Sequence, residues 1–191
     1  MEEKELTKEE SFEIIKKMII QAKRNYSKGD SFHWLLWGWV IMLANFGFYG
    51  LEKYTAFDKP YLIWLITIPA AIVSVYYSSR RSKVSQVINH FDRLYGQVWL
   101  AMGVSMFVTI LFMSKLGYNH NGVILLFAAT GTYISGQMLK FTPLILGAIA
   151  LIITSVICLN VEIVDQYLYG GIGIFVGYLA PGYLLKSKES E

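Results

Sequence analysis

The chain has 191 residues, 54% of them hydrophobic and only 16% charged, with a net charge of +3. Soluble domains carry about 25% charged residues, so this composition argues against a water-soluble globule. Its basic residues sit beside apolar runs, which excludes a nucleic-acid surface, and a single cysteine, Cys158, excludes a disulfide framework or a thiolate metal cluster.

Thr7 and Glu10 fit a capping box, in which each side chain satisfies a free backbone N–H of the other. Phe12, Ile15, Met18, Ile19 and Ala22 then recur at helical spacing, with Glu13, Lys16, Lys17, Lys23 and Arg24 on other faces. This predicts a cytoplasmic amphipathic helix within residues 1–31, ended by Gly29. Phe12, Ile15 and Ile19 form its candidate face. That face either lies among lipid headgroups or packs on a partner or a second copy. The first 31 residues lack the apolar stretch of a signal peptide, so insertion is expected to begin with the first span.

Residues 32–51 are uncharged and long enough for a helix to cross about 30 Å of hydrocarbon. Trp34, Trp37 and Trp39 mark the entry and Phe46, Phe48 and Tyr49 the exit, where aromatic rings favour the interface. A second span is predicted at 61–78, kinked at Pro69. Arg80, Arg81 and Lys83 stop it, and a second cytoplasmic amphipathic helix is expected at 83–95, broken by Gly96. Further spans follow at 98–116, 123–139, 143–160 and 167–185, with Lys140, Thr142 and Pro143 forming a tight turn. Residues 186–191 make a short tail. The predicted fold is therefore all-α: a polytopic membrane protein, a six-transmembrane-helix bundle with two cytoplasmic amphipathic helices.

The charges orient it. Of 17 lysines and arginines, only Lys53, Lys59 and Lys115 fall on the side opposite the N-terminus. The positive-inside rule then places both termini in the cytoplasm. The order of helix, glycine and tryptophan-bearing span before residue 50 echoes faintly in VINHFDRLYGQVWLAMGV, as internal repeats in transporters do, and chance gives the same order.

Ionisable residues are nearly absent at mid-depth, and Glu162 and Asp165 fall at an edge where water solvates them. His33, His90 and His120 lie at span ends or in loops, so no metal or haem centre, no other cofactor and no catalytic set is expected. The candidate polar positions are Asn45 in the first span and Thr132, Ser135 and Gln137 in the fourth. Gly38 and Asn45 share one helix face, suited to close packing with the amide bonding across it. Gly170, Gly173, Gly177 and Pro181 share a face of the sixth span, which reads as close packing, with a gating hinge as the alternative.

The charged amphipathic stretch Ile14–Ala22, followed by Leu35-Leu36-Trp37-Gly38-Trp39, resembles a group of small bacterial multi-span membrane proteins. The likeness covers roughly residues 7–50 and implies an inner-membrane location and a helical bundle, with no activity and no site residues. The expected function is a non-catalytic anchoring, sensing or regulatory module acting through its cytoplasmic helices. Its expected partners are the lipid bilayer, a soluble cytoplasmic protein and further copies of itself. The alternative is a small-solute transporter or channel working as an oligomer.

Overall fold

A computed structural model describes residues 12, 13, 16, 30–84 and 90–190. The capping box, Gly29, Ile15 and Ile19 lie outside the described residues, while Phe12, Glu13 and Lys16 are helical and exposed. All regular structure among the described residues is helical. Helix α1 spans Asp30–Tyr54, and α2 begins as a 3-10 helix at Pro60–Ile66 and continues as an α-helix over Thr67–Val84. Then come α3 (His90–Leu111), α4 (His120–Met138) and α5 (Thr142–Cys158). The last, α6, runs through Asp165–Ile174, a π-helical turn at Phe175–Leu179 and Ala180–Ser190.

Four helices are long and apolar enough to cross a membrane: α1, α2, α3 and α6. Helix α5 is apolar but has only 17 residues, about 26 Å, and α4 has 19 residues with more polar content.

One sequence expectation is overturned. Gly96 breaks nothing: α3 runs through it from His90 to Leu111, so residues 90–95 open α3 and 83–84 close α2. Glycine is better tolerated in an apolar helix that packs or meets lipid than in a soluble one. Pro69 lies in the first turn of the α-helical part of α2, just after the 3-10 segment ends.

Helix α6 is the centre of the bundle. More than half of its apolar window is buried (56%), against 6% in α2 and 6% in α3. It runs antiparallel to α1. Ser31 donates its N–H and hydroxyl to the Glu189 carboxylate (3.0 and 2.6 Å) at one end, and Lys53 pairs with Asp165 (2.8 Å) at the other. Between these clamps Gly38 lies against Leu179 and Gly171 against Phe46.

On the other side of α6 sits α5, and the two backbones touch. A Cβ on Gly147 would lie 2.6 Å from the Gly177 carbonyl oxygen, and one on Gly177 would lie 3.0 Å from that of Gly147. The Gly177 carbonyl is one that Pro181, four residues on, cannot bond because it has no N–H. The π turn at Phe175–Leu179 widens the helix around Gly177, whose carbonyl oxygen lies against Gly147 of α5.

Helices α4 and α5 form a tight hairpin. The Phe141 N–H reaches the Gly136 carbonyl (2.9 Å) and the Lys140 N–H that of Gln137 (3.2 Å), a Schellman ending with Lys140 in the left-handed region at φ 49°. Helix α2 leans on α1 through the stacked rings of Phe32 and Tyr77, 4.0 Å apart, and α3 leans on α4 through Trp99.

Candidate functional site

The ends of α1, α4, α5 and α6 opposite the N-terminus enclose a knot of amide side chains. Asn45, on the face of α1 that meets α6, is 1% exposed. Asn121, in the first turn of α4, donates its Nδ2 to Asn45 Oδ1 (3.3 Å) and to the carbonyl of Gln166 (3.0 Å). Asn45 Nδ2 donates in turn to the carbonyl of Ile41 (2.8 Å). Gln166, at the head of α6, is fully buried and donates Nε2 to Asn119 Oδ1 (2.7 Å), while its Oε1 meets no donor.

Small residues let the amides meet. A Cβ on Gly170 would lie 2.9 Å from both Asn45 Oδ1 and Asn121 Nδ2, so only glycine fits under the pair. From α5, Ser155 donates to the Gly122 carbonyl (2.7 Å) and the Cys158 thiol reaches the Gln166 carbonyl (3.4 Å). The rim carries Tyr167, whose hydroxyl lies 3.3 Å from His120 Nε2. Burial lowers the His120 pKa below its usual value, opposed by the nearby Tyr118 carbonyl, so the ring is neutral at pH 7.

Chemically the knot joins four helices by uncharged hydrogen bonds. It has no nucleophile paired with a base, and among the described residues no three His, Cys, Asp or Glu side chains converge on a metal position. Of its amide side chains only Asn45 stands among the candidate polar positions, while Gly170 reads from sequence as part of a packing face. Asn119, Asn121 and Gln166 stand in a polar turn and at a helix start, where hydrophilic residues are ordinary, so no local signal marked them.

The other sequence candidates lie elsewhere. Thr132 and Ser135 are fully buried in α4 and donate to the carbonyls of Ala128 (2.6 Å) and Gly131 (2.7 Å) in their own helix. Ser135 also accepts the Trp99 indole N–H (3.2 Å). Gln137 is exposed and donates to the Tyr133 hydroxyl (3.1 Å). Gly173 presses on Thr154 and Gly177 on Leu151, each so closely that a Cβ would sit 2.5 Å from that side chain. Phe12 is 69% exposed.

The sequence offered no serine–histidine pair, yet the fold makes one. Ser74 and Ser78 of α2 lie 3.0 and 3.2 Å from Nδ1 and Nε2 of His33, and Trp37 donates to Ser74 (3.5 Å). With both ring nitrogens engaged by hydroxyls of one helix, the group fastens α2 to α1.

No protein-family model matches the chain, and no curated protein or solved structure matches it either.

Proposed function

We propose that the protein is a non-catalytic module of the bacterial inner membrane that crosses it six times and acts through its cytoplasmic segments on a soluble partner. The observation that carries this reading is where the polar side chains within the bundle spend their hydrogen bonds. Thr130, Thr132, Ser135 and Thr154 each donate to a carbonyl one turn back in their own helix, and Asn45, Asn121 and Gln166 bond across helices. Side chains lining a solute path would instead face it. Here they tie the bundle together.

The bilayer reading is supported by the periphery. Leu65, Ile72 and Val75 of α2 and Leu100, Phe107 and Leu111 of α3 are all exposed, a surface that water would drive to aggregate and that acyl chains cover. Crossing by α4 and α5 as well is supported by their packing as a hairpin against the spanning helices, and it keeps 14 of the 17 basic residues on one side. On that reading both termini are cytoplasmic, and Phe12, Ile15 and Ile19 present the docking face for the partner.

Replacing Phe12, Ile15 and Ile19 together with serine is expected to leave membrane insertion intact and abolish co-purification of a soluble protein. Native mass spectrometry of protein released gently from its own membrane reads both. Unchanged co-purification would overturn the proposal. A second reading, transport of a small neutral solute by an oligomer, draws on the π turn next to Pro181, a place where α6 could bend. A closed homo-oligomer with no soluble partner in the same spectrum would favour it.

A further inference from the structure

The end of the bundle that carries the termini holds a groove of about 400 Å³ between α1 and α6. Phe32, Leu35, Leu36 and Val40 of α1 form its apolar wall, and Tyr183 and Lys186 of α6 face them. Its polar groups are ordered by depth. Ser31 and Lys186 stand at the rim. Two turns further into the bundle Trp39 donates its indole N–H to the Tyr183 hydroxyl (3.0 Å), forming a bar across the groove. From Ser31 to Val40 the helix descends about 13 Å, the reach from a headgroup into the upper acyl chain.

The charges at the rim differ in what they already hold. Glu189 has its two oxygens engaged by the Ser31 N–H and hydroxyl. Lys188 lies over the Phe141 ring, 5.3 Å from its centre. Lys186 is exposed on the groove, and among the described residues its ammonium has no ion pair. A cation at the rim, the Tyr183 hydroxyl below it, which accepts from Trp39 and keeps its own proton to donate, and an apolar wall beneath match one occupant in order: phosphodiester, glycerol ester and acyl chain.

We infer that this groove is a binding site for an anionic glycerophospholipid of the cytoplasmic leaflet, its phosphodiester at Lys186 and one chain along Leu35, Leu36 and Val40. The inference rests on the membrane-spanning reading but not on the partner-recruitment reading.

The test is native mass spectrometry of the full chain extracted in mild detergent from vesicles of equal parts phosphatidylglycerol and phosphatidylcholine. The unaltered protein should retain phosphatidylglycerol in preference. Lys186→Gln should lose about fivefold of that retention, the worth of about 1 kcal/mol for one basic residue near an anionic surface. Lys186→Arg should keep it. Equal retention of the two lipids, which needs no variant to detect, would overturn the site, as would full retention by Lys186→Gln. Failure to enter vesicles at all would overturn the membrane reading as well, so the two failures are told apart.

Discussion

Gly177→Ala and Gly147→Ala are each expected to lower the stability of the bundle by about 2 kcal/mol, within the usual range for overpacking. In a chain of this length that is a fall of roughly 4–8 °C in melting temperature. The cause is that rotating a side chain away relieves neither clash in full: Leu151 could turn from a methyl on Gly177, but backbone lies behind it. Each added methyl meets the carbonyl oxygen of the opposite glycine, at 2.6 and 3.0 Å, so α5 and α6 must separate. Helices in a bilayer gain little from hydrophobic burial against one another, because acyl chains are as apolar as leucine, and lost contact is not recovered by a slight shift. The two effects should be less than additive, since the first substitution already opens the crossing that the second would clash with. Gly103→Ala supplies the control. A Cβ there meets nothing within 4 Å, and alanine should be neutral or stabilising by up to about 1 kcal/mol. Thermal unfolding in mild detergent separates the cases. If Gly177→Ala melted with Gly103→Ala, the backbone crossing would not hold the bundle together.

Asn121→Ala should cost more than Asn45→Ala, although the two side chains bond to each other. Asn121 is the donor in both of its interhelical bonds, so its loss leaves Asn45 Oδ1 and the Gln166 carbonyl without that partner in a buried site. The Gln166 carbonyl keeps the Cys158 thiol and its place in the helical ladder of α6, so the acceptor left unmatched is Asn45 Oδ1. Leaving a buried acceptor unmatched costs about 1–3 kcal/mol. Removing Asn45 strands only one donor of Asn121, which keeps its bond to Gln166, and about 1 kcal/mol is expected for a single side-chain bond between membrane helices. A double-mutant cycle should give a coupling of about 0.6–1.7 kcal/mol. A coupling near zero, with both single variants as stable as the parent, would remove the knot as a structural centre.

Much of this architecture was legible in the chain. Long uncharged runs marked α1, α2 and α6, and all three are long and apolar enough to cross a membrane. The glycine face of α6 could be read because Gly170, Gly173, Gly177 and Pro181 repeat at helical spacing, and all four are buried. What could not be read was pairing. Gly147 stands alone in an aliphatic run, and only the fold shows that it meets Gly177. His33 and Ser74 are 41 residues apart and form no motif. The knot escaped for a related reason: Asn121 and Gln166 belong to polar stretches between spans, and their burial follows from helix ends converging there. Gly96 was over-read as a break, because rules drawn from water-exposed helices penalise glycine more than this position does.

Whether α4 and α5 cross the membrane is decided at Lys140, in the turn between them. Single cysteines would be placed at Lys115, Lys140, Glu162 and Ser187 in a chain carrying Cys158→Ser, and intact cells treated with a maleimide that cannot cross membranes. Six crossings with cytoplasmic termini predict labelling at Lys115→Cys and Glu162→Cys, with Lys140→Cys and Ser187→Cys protected until the cells are opened. Labelling of Lys140→Cys together with its two neighbours in intact cells would mean that the α4–α5 hairpin never crosses, leaving a bundle of four spans.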